Sequence, residues 1–166
     1  HYPITMATPT VGHPTHTLPD EYIVGGFVMG EALAMEETQK VLQKGDGPDY
    51  DVLVSTYPRS GTARIVEIAW LFMNNIDVAK AKEVPQVARH LFLDLCDKDF
   101  KTCFSGTKKL PDERFALAKT HHPVHMMKEH LKRDTKVIVG LRNPKDNLVS
   151  IYHFYRMNNT LGKFEG

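Results

Sequence analysis

The sharpest hydrophobic pattern in the chain is an uninterrupted apolar run, Val52-Leu53-Val54, followed within a few residues by a longer segment whose apolar positions turn around a helix. A strand with one wet face alternates apolar and polar residues, so a continuous run predicts a strand covered on both faces. Residues 62–75 carry Ile65, Val66, Ile68, Ala69, Leu71, Phe72 and Met73, which predicts a largely buried helix with Trp70 in the core. Between strand and helix lies TYPRSGT, where Pro58, Ser60 and Gly61 are residues that close a tight turn.

Two further strand and helix pairs follow. RFALAK (114–119) reads as a short strand, and Pro123 is suited to the first position of a helix through residue 132. KVIVGL (136–141) is β-branched and reads as another buried parallel strand. Asn143 and Pro144 suit an N-cap and a first helical residue, and Leu148, Ile151, Tyr152 and Tyr155 fall on one face, which predicts a helix docked on the core. Elsewhere the signals are weaker. Residues 31–44 are rich in helix formers, 45–51 form a loop, and 20–27 are short and mixed with a turn at Gly25-Gly26. A helix ends before Pro85, an apolar patch covers 91–95, and 101–111 is loop. Strand and helix in alternation predict an α/β fold, a three-layer parallel sheet flanked by helices. Residues 1–19, with four prolines, three histidines and five threonines in no period, read as an irregular N-terminal arm, and 20–166 as part of one domain.

Composition narrows the function by exclusion. With 21 basic and 20 acidic residues the formal charge is +1, which offers no global attraction for nucleic acid or an acidic membrane, so any anion site is local. No apolar run approaches the ~20 residues of a membrane span. Six residues separate Cys96 from Cys103, a spacing of neither a redox pair nor a zinc knuckle, which reads as two thiols in a reducing compartment. His1, His13 and His16 have no acidic or thiol companion, so no metal site is expected. The chain begins at His1 and stops in a polar stretch, and is read as a fragment of a longer protein.

The candidate chemistry lies at the predicted strand ends. In parallel sheets ligands bind beyond the carboxyl ends of the strands. Those ends deliver Arg59-Ser60-Gly61-Thr62, Lys119-Thr120-His121 and Arg142. If the strands are neighbours, cations, an imidazole and a helix N-terminus meet in one crevice, where unpartnered amides and a partial positive charge hold an anion. Each signal is modest singly. PRSGT lacks the first glycine and the lysine of a Walker loop, a loop histidine is commonly just solvated, and Arg142 has Asp146 close by as a carboxylate partner.

Taken together, TYPRSGT before an apolar helix, then KTHHP, then LRNPKDNLVSIYHFYRM resemble the cytosolic sulfotransferase family in order and separation, over about residues 50–157. The resemblance implies a cytoplasmic enzyme with a P-loop-like nucleotide-binding fold, incomplete at its C-terminus. It implies transfer of a sulfuryl group from 3′-phosphoadenosine 5′-phosphosulfate (PAPS) to a small phenol, alcohol, steroid or amine, without metal, nucleic acid or membrane. On that resemblance Arg59, Ser60, Gly61, Thr62, Ala63 and Arg64 hold the 5′-phosphosulfate, and Arg142 and Ser150 hold the 3′-phosphate. His121 is the general base, while Lys119 and Arg59 act on the transferring and leaving groups. The family's chain continues into a basic glycine-containing segment and a dimer motif, so the resemblance implies a homodimer only for a longer chain, and weak or no turnover for these residues alone.

The chain departs from the family at Arg59, where lysine is usual, and at Ala63 and Arg64, where threonine and tryptophan are usual. Arginine keeps the charge but is not interchangeable with lysine. These changes leave two alternatives open: a catalytically impaired nucleotide-binding relative, and a small-molecule kinase with a degenerate phosphate loop.

Overall fold

The structure, a computed structural model, describes residues 49–95, 116–123, 126–127, 131 and 134–157, together with three short strands nearer the N-terminus. In chain order the elements are β1 (Thr5–Met6), β2 (Glu21–Val24), β3 (Phe27–Gly30), β4 (Val52–Thr56), α1 (Thr62–Met73), α2 (Val78–Glu83), β5 (Leu91–Phe92), β6 (Leu117–Thr120), β7 (Lys136–Gly140) and α3 (Pro144–Met157). Single 3₁₀ turns at Gln86–Ala88 and Leu93–Leu95 flank β5. The chain divides into two compact units, residues 37–142 and residues 1–36 with 143–166.

The larger unit is built on a parallel sheet in the order β5-β6-β4-β7. The apolar run at 52–54 is continuous because alternate side chains feed opposite faces. Val52 and Val54 pack with Val66, Ala69 and Leu117 on the α1 side. Leu53 packs on the other side with Tyr50, Leu91, Leu93, Ala118 and Met127, with Leu131 against that cluster. Burial of each such Leu or Val contributes about 1.5–3 kcal/mol. The order strand, helix, strand with layers on both faces is the α/β architecture that the periodicity predicts.

Three burial expectations need correction. α1 buries only the stripe Thr62, Val66 and Ala69, while Ile68 and Phe72 are 47% and 70% exposed, because the helix meets the sheet along one face and no described residue covers the other. Trp70 is half-buried at the margin of that core. β7 is parallel as expected, yet it is the outer strand of the sheet, so Val137, Ile138 and Val139 stay exposed. In α3 the predicted core stripe is not buried as a whole: Leu148 and Tyr152 are exposed, and Ile151 and Tyr155 are partly covered. Its start is as the sequence predicts, with the Lys145 amide donating to Asn143 Oδ1 at 3.0 Å.

In the smaller unit β1, β2 and β3 pair antiparallel in that order, with Val24 opposite Phe27 across Gly25-Gly26. β1 lies within the arm read as irregular. The helix expected at 31–44, most of the one expected at 123–132, and both cysteines lie outside the described residues.

One glycine sets how closely α1 and the sheet meet. A Cβ on Gly140 would run into Ile65 Cδ1 and Thr56 Cγ2. Gly140→Ala is therefore expected to lower stability by roughly 1–3 kcal/mol, the usual cost of overpacking. Urea unfolding checks this: a lower midpoint at unchanged slope is the expected result.

Candidate active site at the carboxyl end of the sheet

The sheet register brings the strand ends level, with Ser55 opposite Thr120 and Thr56 opposite Gly140. β6, β4 and β7 are neighbours, so the segments after them open on one side of the unit.

The β4–α1 loop is a tight turn in which the Ser60 amide donates to the Tyr57 carbonyl at 3.1 Å. Arg59 and Gly61 both take left-handed backbone, with φ of 66° and 92°. Glycine adopts that conformation without strain, whereas a residue with a Cβ pays about 1–2 kcal/mol. Among the described residues Gly61 at the N-cap of α1 offers no capping side chain, the first turn of the helix holds no acid, and nothing lies within 4 Å of where a Gly61 Cβ would stand. A helix start with uncapped amides and open space, flanked by exposed Arg59 and Arg64, is a fitting cradle for an anionic group. Arg142 closes the loop from the β7 side, its Nη1 donating to the Arg59 carbonyl at 2.9 Å. A guanidinium has five donors, so this contact leaves others for an anion. The sequence offered Asp146 as the partner of Arg142; its described hydrogen bond goes to the loop backbone.

Thr56 joins the loop to the β6 end. Its hydroxyl lies 2.6 Å from the Thr62 hydroxyl, and its carbonyl lies 2.8 Å from His121 Nδ1. A carbonyl only accepts, so Nδ1 carries the proton and donates. In neutral His121 the lone pair then sits on Nε2, which is the arrangement a general base needs. Burial lowers the His121 pKa, the Asp94 carboxylate and the bond to Thr56 oppose that, and Lys119 and His122 lower it further. The net direction is downward, so the imidazole is neutral at pH 7.

Phe92 packs between Lys119 on β6 and His121 just after it. Its ring meets His121 edge-on with centroids 5.2 Å apart, and Lys119 Nζ lies 4.0 Å from its centroid. Burial lowers the Lys119 pKa, with Asp94 opposing. Asp94 itself is buried, accepting from the Thr120 hydroxyl and, at 2.6 Å, from the His121 amide. His90 is buried as well and donates from Nδ1 to the Gln86 carbonyl at 2.9 Å. Burial first, and then the charge of Lys119, push its pKa down to about 4.

A polar brace holds the start of α1. Gln86 Nε2 donates to the Ala63 carbonyl at 2.7 Å and to Glu67 at 2.9 Å. Arg89 grips the same carboxylate through both terminal nitrogens at 3.1 and 2.8 Å and stacks 4.4 Å from the centroid of Trp70. Trp70 thus anchors an ion pair at the core margin.

The larger unit therefore joins the sequence candidates in pairs: Arg59 with Arg142, Thr62 with His121 through Thr56, and Lys119 with His121 through Phe92. Ser60, Gly61, Ala63 and Arg64 form the turn and helix start between them. Ser150 lies on α3 in the other unit. Sequence reading missed Thr56, Phe92, His90 and Asp94. Thr56 stands in the run TYPRSGT, and Phe92 and Asp94 in the apolar patch LFLDL, but nothing local marked the contacts that they make. Among the described residues no cluster of His, Cys, Asp or Glu is set to hold a metal, and no helix is long and apolar enough to cross a membrane.

A family model described as the sulfotransferase domain matches residues 49–165. Mouse sulfotransferase 1 family member D1 is 39% identical over 111 residues, which are 66% of this chain and 37% of that protein. Bovine sulfotransferase 1A1 is 41% identical over 111 residues, with the same coverage of each. The chain thus spans about two fifths of the length of these curated relatives. Among solved structures, a putative steroid sulphotransferase of Arabidopsis thaliana superposes with a TM-score of 0.64 at 22% identity, covering 91% of this chain and 52% of that one. Mouse sulfotransferase SULT7A1, solved with PAP, gives 0.58 at 26%, covering 88% and 48%.

The two lowered imidazoles make stability depend on pH. The folded state binds fewer protons than the unfolded chain below the ordinary histidine pKa of 6.5, so stability is lost as pH falls toward about 4. His90 alone accounts for about 3 kcal/mol at the acid end of that window. Urea midpoints are expected to fall steadily from pH 7 to 4.5, and His90→Gln to flatten the slope.

Proposed function

The chain belongs to the sulfotransferase domain family, and from that membership we propose that it serves PAPS-dependent transfer of a sulfuryl group to a small hydroxyl or amine acceptor. The observation that carries this reading is the bond from His121 Nδ1 to the carbonyl of Thr56, whose hydroxyl meets Thr62 at the start of α1; the bond leaves Nε2 free of the proton.

The α1 N-terminus, with Arg59, Ser60, Gly61, Thr62, Ala63 and Arg64, takes the 5′-phosphosulfate of PAPS, and Arg142 and Ser150 take the 3′-phosphate. His121 Nε2 removes the acceptor's proton as the new bond to sulfur forms and the bond from sulfur to the 5′-phosphate oxygen breaks. Charge develops on that leaving oxygen, and amides with Arg59 stabilise it where they stand, which is the largest usual contribution to such transfers. Lys119 steadies the transferring group's oxygens. The solved relative's PAP, a nucleotide with phosphates at both ends, supports this choice of donor. A retinol dehydratase with the same fold was solved with androsterone and PAP, which supports a small apolar alcohol among the acceptors. The relatives are named sulfotransferases, and the resemblance to a cytosolic family supports a cytoplasmic setting.

A second reading, a nucleotide-binding relative with impaired turnover, is favoured by Arg59, whose left-handed backbone and exposed side chain differ from a lysine point charge in how they meet a leaving group. Turnover with PAPS and a phenol separates the two. His121→Ala is expected to lower kcat by about 10²–10⁴-fold with PAP affinity unchanged. Arg59→Lys is expected to raise kcat. Full turnover in His121→Ala removes the base, and equal or lower turnover in Arg59→Lys removes Arg59 from the leaving-group position.

A further inference from the structure

Asp94 is 1% exposed and sits in the 3₁₀ turn just after β5, outside every motif that carries the family likeness. Both of its oxygens are committed to the turn after β6. Oδ1 accepts from the Thr120 hydroxyl, and Oδ2 accepts from the His121 amide at 2.6 Å. The Thr120 hydroxyl in turn accepts from the His122 amide at 3.0 Å, and His122 Nε2 lies 3.9 Å from Oδ1.

These hydrogen bonds come from neutral donors, not from a guanidinium or an ammonium. Burying a carboxylate in that way is expensive, and a neutral acceptor would avoid the buried charge. What the carboxylate adds is a fixed hold on the peptide that carries His121, opposite the hold that the Thr56 carbonyl has on its ring. It also sets a negative charge behind the imidazole. Among the described residues the charged and titratable groups around that ring are Asp94 from the turn after β5, Lys119 on β6 and His122 beside it; β4 contributes the carbonyl and hydroxyl of Thr56.

We propose that Asp94 is a positioning residue for His121, pinning the turn that aims its ring and stabilising the imidazolium formed when Nε2 takes the acceptor's proton. The inference rests on His121 as the base. The acceptor's O–H bond breaks, its proton passes to Nε2, and the new positive charge lies near a carboxylate that is already in place, so no reorganisation is needed at the moment of transfer. The third group of a nucleophile–base–carboxylate triad works on the same logic, orienting an imidazole and stabilising its charged form without itself taking the proton. Here the hold is on the backbone, and the ring is oriented by Thr56.

The test is a pH titration of the His121 ring by NMR in the protein and in Asp94→Asn, alongside kinetics with PAPS and a phenol. In Asp94→Asn the His121 titration is expected to move to lower pH. The acid limb of the rate profile should move with it, and kcat should fall about tenfold or more while KM for PAPS stays within about twofold. A merely structural carboxylate leaves the titration where it was, and an unmoved His121 titration in folded Asp94→Asn overturns the proposal. If Asp94→Asn does not fold, Asp94→Glu and Asp94→Gln differ from each other only in charge and carry the same comparison: a lower His121 titration in the glutamine variant is expected, and equal titrations overturn it. His121→Ala in parallel keeps the two readings apart. Turnover that survives in it removes the base, whereas an unmoved titration in Asp94→Asn removes Asp94's part alone.

Discussion

Thr56, the last residue of β4, touches each of its neighbours with a different part of itself. Its hydroxyl meets Thr62 at the start of α1, its carbonyl fixes the His121 tautomer, and its methyl leaves room at Gly140 for hydrogen only. This is possible because β4 is an inner strand, with β6 on one side and β7 on the other in parallel register. A parallel strand in that place has both faces and both edges occupied, so the end of the strand is as fixed as its middle. The start of α1 and the His121 ring are then both held by Thr56, while Arg142 reaches the same loop through the Arg59 carbonyl. Burial does the rest, keeping His121 neutral and lowering the Lys119 pKa, while Asp94 opposes both shifts.

The charge balance of the chain, +1 overall, is consistent with a site that works locally. Positive character is concentrated where the α1 amides, Arg59 and Arg142 meet, and the loop turns on left-handed backbone that costs nothing at Gly61 and is strained at Arg59. Gln86, Glu67 and Arg89 buttress the same helix start from the far side, so the cradle is stiff before any ligand arrives. Preorganisation of this kind is where sulfuryl transfer, a reaction of positioning and electrostatics, gains its rate.

Much of this was legible in the residues. The apolar run at 52–54 announced a strand buried on both faces, and it has two cores to fill. The turn chemistry of Pro58, Ser60 and Gly61 and the position of Arg142 after a β-branched strand placed these residues beyond the carboxyl ends of β4 and β7, where they lie. What the pattern could not reveal was which apolar positions find cover. Ile68, Phe72, Val139 and Leu148 look like core by type and period, yet they are exposed, because burial depends on a neighbouring layer that no local pattern encodes. Thr56 and Asp94 were invisible for a related reason: their roles come from contacts across strands, 65 residues away for Thr56 and His121 and 27 for Asp94 and His121.

The departures at Arg59, Ala63 and Arg64 leave the cradle's architecture in place and alter its chemistry, so nucleotide recognition is the property on which the account stands. The most direct measurement is the thermal shift of this chain with PAP, compared with ATP and magnesium at equal concentration. A site that includes the α1 N-terminus and Arg142 is expected to be stabilised more by the nucleotide bearing a 3′-phosphate, as preferential binding to the folded state requires. An equal or larger shift with ATP and magnesium would contradict it.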